Sequence, residues 1–390
     1  MSPLTSLKSN FAIAHDFLIQ MGGAERVVEV MAKACPEAQI YTSVTTGESL
    51  FPVFRTNRVH NSWMQKLPGI EKLHKMLFFL YPFAFKSLKV PENSLVWISS
   101  SSFAKCLPKS KGSTFVCYCH TPPRYFWNPD EYLRNEIGNP LLRKFVRKLM
   151  PLFRRQDWKQ AQKIDYFIAN SVNVQQRIKK CYGRESVVIC PPVDVDRFTV
   201  GSRSEDFHLI VSRLVSYKRI DLAVEAFTKA GRRLVIIGDG PDRPRLEALA
   251  GDTVEFLGRA PDDVVTERMA TCQGFIFPGL EDFGITPVEA QACGKPIIAF
   301  HGGGALETVV DGRTGVFFNE QTPESVMEAL ARFDAVEWNR ETIRANAERF
   351  STARFLKEMS EFLEDIADAE KETSPKETAA LSQAATTALP

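Results

Sequence analysis

Two carboxylates and two cations stand out in the second half of the chain. In GLEDFGITPVEAQACGKP (279–296), Glu281 falls in a loop after an apolar stretch. Glu289 comes eight positions later, within the first turn of a helix that Pro287 helps to start and Thr286 is placed to cap. In SRLVSYKR (212–219), Arg213 and Lys218 follow another apolar stretch. Such a pair suits a diphosphate, arginine by a bidentate contact and lysine as a point charge. Acids at a helix start serve equally well as caps and solvated charge, so the carboxylates alone decide nothing. GGAER (22–26) opens a helix after the first apolar run. Backbone N–H groups there can hold an anion, and glycine lets a ligand approach, although a plain tight turn uses the same residues. The stretch is neither G-x-G-x-x-G nor a Walker loop, so neither a dinucleotide fold nor a P-loop enzyme is indicated. His120 ends TFVCYCH, ahead of the stiff, aromatic TPPRYFW.

Each of these residues follows a short apolar run, and the runs alternate with helical patterns. Strands are expected at 11–18, 39–43, 95–101, 114–120, 165–171 and 186–192, with the clearest helices of this half at 24–35, 140–163 and 173–182. PPVDVDRFTVGSRSED (191–206) breaks the alternation and reads as a linker with few apolar anchors. Strands then resume at 208–214, 233–240, 254–258, 274–279, 296–300 and 315–318, and helical patterns at 322–333, 339–349 and 353–368 close the chain. This is the pattern of parallel sheets covered on both faces. Ligands of such sheets bind beyond the carboxyl ends of the strands, which is where the candidate residues lie.

Composition narrows the class. The chain has 390 residues, enough for two domains, and is 44% apolar and 25% charged, as in ordinary globular proteins. A net charge of +2 argues against a nucleic-acid binder. The eight cysteines are scattered without a C-x-x-C pair, which points to reduced thiols in a cytosolic setting rather than a structural metal. MSPLTSLKSN lacks the apolar core of a signal peptide, and the longest apolar run, MLFFLYPFAF (76–85), is too short to span a bilayer. From residue 369 onward the sequence is low-complexity and expected to be disordered.

Taken together, these residues resemble the retaining nucleotide-sugar glycosyltransferases of family four, which have the GT-B architecture. EDFGITPVEAQACGKPII is similar to the family's E-x-F-G-x-x-x-x-E pattern followed by A-x-A-x-G-x-P, and SRLVSYKRID to its R…K element. GDGP, GGGALETVVDGRTG and the linker ICPPVDVDRF also fit. The similarity runs from about residue 12 to 350 and is looser in the first half. It implies an α/β protein with two Rossmann-like domains whose parallel sheets face across a cleft. Residues 1–195 would bind the acceptor and 196–350 the nucleotide sugar, with 351–368 a helix able to cross back to the first domain and 369–390 a tail.

The resemblance also implies roles. Glu281 would hold hydroxyls of the donor sugar, with Phe283, Gly284 and Ile285 beside it in the donor site, and Glu289 would hold the ribose. Arg213 and Lys218 would stabilise the departing diphosphate without a metal. Gly22 or Gly23 would press backbone N–H groups on that diphosphate, and His120 would bind or orient the transferred sugar. Attack would come on the face the nucleotide leaves, with the acceptor hydroxyl passing its proton to the departing phosphate. CHTPPRYFWNPDEY is most similar to bacterial mannosyltransferases that build surface polysaccharides from GDP-mannose. A UDP-sugar is the alternative donor, and epimerisation of a nucleotide sugar the alternative reaction.

Two basic, aromatic stretches bear on the acceptor. Residues 66–90 mix Lys66, Lys72, Lys75, Lys86 and Lys89 with aromatics, and 143–159 add Arg143, Lys144, Arg147, Lys148, Arg154, Arg155 and Lys159. They suit an anionic leaflet, or else a core lined by ordinary surface charge. The family favours the former: a polyprenyl-diphosphate-linked saccharide acceptor, with the protein cytoplasmic and peripheral on the inner face of the cell membrane.

Overall fold

A computed structural model describes residues 11–46, 50–56, 58–74, 76–129, 140–201, 204–366 and 368. The tail expected from residue 369 and the polar segment 1–10 lie outside the described residues. Among the described residues, two sheets, parallel throughout, organise the chain. The first has seven strands: β1 Phe11–His15, β2 Gln39–Thr42, β3 Val59–Asn61, β4 Leu95–Ser100, β5 Thr114–Cys119, β6 Tyr166–Ala169 and β7 Val187–Val188. Their order is β3-β2-β1-β4-β5-β6-β7. The second holds β8 His208–Val211, β9 Leu234–Ile237, β10 Val254–Gly258, β11 Gly274–Phe277, β12 Ile297–Phe300 and β13 Gly315–Phe318, in the order β10-β9-β8-β11-β12-β13.

The strands form here because they are short apolar runs buried on both faces: β1, β4, β9, β11 and β13 are buried at every residue. Parallel strands need helical crossovers, and these cover the faces and complete the cores. Strand order reverses direction between β1 and β4 in the first sheet and between β8 and β11 in the second. At such a switch point adjacent loops diverge and open a crevice at the strands' carboxyl ends.

The linker expected at 191–206 to carry few apolar anchors is well anchored in its described part. Val193, Val195 and Phe198 are each at most 2% exposed and belong to the second domain's core. The Arg344 guanidinium fastens the same segment by donating to the carbonyls of Val195 at 2.9 Å and Phe198 at 2.7 Å. The chain crosses back beside it: the Val193 N–H donates to the Phe350 carbonyl at 2.9 Å, and the Thr352 N–H donates to the Val193 carbonyl at 3.1 Å. In the helix over 352–366, Phe355, Met359, Leu363 and Ile366 pack into the core against β1 and β4 of the first sheet. The two crossings therefore run side by side, joined at Val193 and Ser351.

Candidate active site

The loops after β8 and β11 flank the second switch point and carry the donor-half candidates. Lys218 ends a short 3-10 turn, Ser216–Lys218, and its ammonium forms an ion pair with Glu281 Oε1. Both side chains are largely shielded, at 23% and 14% exposed, so the pair sits at low dielectric yet remains reachable from the cleft. Arg213, exposed, donates to the Tyr217 hydroxyl at 3.0 Å, and the Lys218 ammonium lies 5.6 Å from the centre of the Tyr217 ring. Tyr217 thus contacts both cations.

The helix after this loop spans Ile285–Ala292 and so starts before Thr286, the residue expected to cap it. Gly284, at φ 93°, takes the cap position, a left-handed conformation that favours glycine. Thr286 is therefore inside the helix and caps nothing, and Glu289 falls in the second turn. Phe283 is a core residue whose ring packs edge-on to Phe350 at 5.5 Å. Glu289 is buried, and burial pushes its carboxyl above the usual value; Arg26 and Arg197 pull it back down, while Asp262 and Asp194 push it further up. Arg26 belongs to the first domain, so charge from that half acts on this acid.

On the opposite side, the helix Gly23–Ala34 begins at the cleft with Gly22 at its cap position. A Cβ on Gly23 would stand 3.0 Å from Ile285 Cδ1, so the first helix of one domain closely approaches the helix Ile285–Ala292 of the other. Behind it, Glu25 Oε1 is 4.0 Å from His15 Nε2. Burial alone lowers the His15 pKa, but the Glu25 carboxylate and Asp16 outweigh it, so the ring holds its proton more tightly than a free histidine.

His120 follows β5 and stays within the first domain. Its Nε2 is 2.7 Å from Ser99 Oγ, which is 3.0 Å from His15 Nδ1. Burial, and after it the charge of His15, drive the His120 pKa down to about 3, so the ring is neutral near pH 7. With His15 Nδ1 as the donor to Ser99, the Ser99 hydroxyl is left to donate to His120 Nε2. That order places the His120 proton on Nδ1, which has no hydrogen-bond partner among the described residues and is a donor for a ligand hydroxyl.

Several residues beyond the candidates shape the site. Asp16, 1% exposed, ties the loops after β1 and β4 together. It accepts from the N–H groups of Ala104 and Ser101 at 2.7 Å each and from the hydroxyls of Ser100 at 3.1 Å and Ser101 at 3.2 Å. Its signal was in the sequence: an acid directly after the apolar run FAIA and His15, in the first βα loop. Arg124, four residues after His120, crosses to the other domain and donates to Asp282 Oδ2 at 2.7 Å. Asp282 also meets Arg177 Nη1 at 3.0 Å and accepts from Asn173 Nδ2 at 3.2 Å. Nothing in the local sequence distinguishes Asp282 from a solvated acid.

The chain matches known families over both domains. The Glycosyltransferase Family 4 model matches residues 21–197, and the Glycosyl transferases group 1 model matches residues 194–350. The two meet at the linker and together span both sheets. The chain belongs to the family 4 glycosyltransferases. This glycosyltransferase is 31% identical to the D-inositol 3-phosphate glycosyltransferase of Geodermatophilus obscurus, over 48% of this chain and 49% of that protein. It is 30% identical to the GDP-mannose-dependent alpha-(1-6)-phosphatidylinositol monomannoside mannosyltransferase of Mycolicibacterium smegmatis, over 36% of this chain and 44% of that one. The match spans about half the length of these relatives. Among solved structures, sucrose-phosphate synthase from Thermosynechococcus elongatus superposes with a TM-score of 0.68 at 16% identity, covering 92% of this chain and 99% of that one. Anabaena HepE in complex with UDP superposes at 0.64 and 18% identity, covering 91% and 100%. These likenesses carry the fold: the glycosyltransferase has the GT-B arrangement of two Rossmann-like domains.

Proposed function

We propose that the protein transfers a hexose from a nucleotide sugar to a saccharide acceptor with retention of configuration and without a metal. The observation that carries this reading is the Lys218–Glu281 ion pair at the second switch point, with Arg213 bonded to the Tyr217 hydroxyl beside it and the first domain's Arg124 guanidinium 5.9 Å from the Tyr217 ring. A departing diphosphate gathers negative charge as the glycosidic bond breaks. Fixed cations lower the barrier because that charge is larger in the transition state than in the ground state. Lys218, freed from part of its pairing with Glu281, and Arg213 supply that charge, while Glu281 accepts hydrogen bonds from sugar hydroxyls. Glu289 accepts from the ribose hydroxyls, and His120 presents its Nδ1–H to the sugar. The acceptor hydroxyl attacks the anomeric carbon as the carbon–oxygen bond to the diphosphate breaks, and its proton passes to the departing phosphate oxygen.

Mannose from GDP-mannose is the first donor to test, because a GDP-mannose-dependent enzyme is among the relatives and CHTPPRYFWNPDEY points the same way. A UDP-sugar is the second, since HepE holds UDP on the same fold. Incubation with each donor, with and without a polyprenyl-diphosphate-linked saccharide, separates them by nucleotide release. Release from neither, even with lipid acceptor, contradicts the reading; sugar isomerised without acceptor makes the protein an epimerase.

The acceptor reading draws on the two basic, aromatic stretches, which pack against each other through Phe78 and Phe153, ring centres 5.6 Å apart. Tyr81 and Phe85 of the first are core, but Met76, Phe79, Phe83 and, from the second, Leu152 are exposed, with Lys86, Lys89 and Arg155 exposed as well. An apolar surface with cations is the chemistry of a peripheral contact with an anionic leaflet. Among the described residues no helix is long and apolar enough to cross a membrane.

A further inference from the structure

The acid next to Glu281 has no partner in its own domain among the described contacts. Glu281 turns inward to Lys218, whereas Asp282 reaches out to Arg124, Arg177 and Asn173 of the first domain. A second acid does the same. Glu307 accepts the N–H groups of Val172 at 2.9 Å and Asn173 at 3.1 Å, the first two residues of the first-domain helix Val172–Tyr182. The next N–H, of Val174, goes to the helix's own cap, Ser171 Oγ, at 3.1 Å. A carboxylate there satisfies two otherwise orphaned donors and lies at the positive end of the helix dipole.

The two acids ride on one rigid unit. The Gly304 N–H donates to the Glu281 carbonyl at 2.9 Å. A Cβ on Gly304 would fall 2.2 Å from Phe283 Cα, so the two loops lie backbone against backbone. Glu307 follows within the turn Ala305–Thr308. The first domain's side is equally braced. Asp157 accepts from Trp127 Nε1 and the Tyr182 hydroxyl, both at 2.8 Å, joining the turn Arg124–Trp127 to the helix Val172–Tyr182. The stacked rings of Phe126 and Phe153 lie 5.3 Å apart behind that turn.

We infer that Asp282 and Glu307 form a two-point clasp that closes the first domain's 124–127 turn and 172–182 helix over the donor crevice, and that Asp282 is thereby a positioning residue for sugar transfer. The inference rests on the donor role proposed for Glu281 and Lys218. Its logic is adjacency: one loop grips the donor through Glu281 and the acceptor domain through Asp282, so a loop settled by donor also presents the clasp. The reacting atoms meet only when both domains are engaged, and small misplacement costs rate steeply.

The test compares wild type with Asp282→Ala, Asp282→Glu, Glu307→Gln, Arg124→Ala and the double variant Arg124→Ala/Asp282→Ala. Steady-state nucleotide release is measured together with calorimetric binding of the nucleoside diphosphate and small-angle scattering of the nucleotide-saturated protein. Asp282→Ala is expected to lower kcat by roughly 10-fold or more while nucleoside diphosphate affinity changes by less than about 3-fold. It should also raise the radius of gyration above that of nucleotide-bound wild type. Asp282→Glu should recover part of kcat, Glu307→Gln should shift scattering the same way, and the double variant should fall short of the sum of its single effects because Arg124 and Asp282 share one contact. Unchanged kcat and scattering in folded Asp282→Ala, a loss confined to nucleotide affinity, or fully additive effects in the double variant would each overturn the clasp. Wild type that transfers no sugar would refute the proposed function instead, and scattering of the same variants would still decide the clasp.

Discussion

Lys218 and Glu281 come from loops after the adjacent strands β8 and β11 and meet as an ion pair across the second sheet's switch point. On the proposed reading, the donor's diphosphate and sugar divide a pair that already exists, the phosphate drawing on Lys218 and the hydroxyls on Glu281. Lys218→Ala is expected to cut turnover by roughly 10²-fold or more, the scale seen when one preorganised charge-stabilising group is lost. Glu281→Gln keeps the shape but weakens charge-assisted bonds of about 1.5–3 kcal/mol each. It should harm transfer more than nucleoside diphosphate binding. Nucleotide release and calorimetry on folded variants separate the two effects, and unchanged turnover in Lys218→Ala would contradict the role of leaving-charge stabiliser.

Glu289 gives the site a pH dependence of definite sign. Burial raises its carboxyl above the ordinary 4.5, so the folded protein holds this proton more tightly than the unfolded chain. Between 4.5 and the raised value the group's contribution to stability falls as pH rises, because the native state must lose a proton it binds well. Ribose hydroxyls donating to the ionised form would lower the pKa on binding and release a proton. Nucleoside diphosphate affinity should therefore increase as pH rises through the free-state value and level off above it. In Glu289→Gln the affinity should be weaker and this pH step absent; titrations in two buffers of different ionisation enthalpy would reveal the released proton.

The exposed Phe79 and Phe83, at 47% and 61%, are the apolar tips of the basic face. Replacing both by serine should reduce sedimentation with vesicles containing anionic lipid and leave neutral vesicles unbound as before. Added salt should weaken the wild-type interaction, at about 1 kcal/mol per cation near the surface at low salt. Equal binding to neutral and anionic vesicles, or equal binding by the double serine variant, would remove the basis for a membrane contact on this face.

The fold was largely legible because its signal is local. Runs such as GFIF and GVFF are buried at every position and leave little alternative to a central parallel strand. β3 escaped notice because VHN is a polar edge strand whose last two residues are exposed. The crevice was legible in part. Arg213, Lys218 and Glu281 each follow an apolar strand, so strand ends alone locate them. Their mutual pairing was not legible, since the ion pair depends on how β8 and β11 lie side by side. Arg124 and Asp282 are 158 positions apart, and only the orientation of two domains makes them partners. The linker misled for a related reason: its prolines and charges mark a boundary, but the core that receives Val193, Val195 and Phe198 is assembled from distant strands.

The most direct measurement is a crystal structure with an intact or hydrolysis-resistant nucleotide sugar. The account predicts the pyrophosphate within hydrogen-bond reach of Arg213 and Lys218, the hexose hydroxyls on Glu281 and the ribose on Glu289. A pyrophosphate bound away from both cations, with the Lys218–Glu281 pair undisturbed, would contradict it.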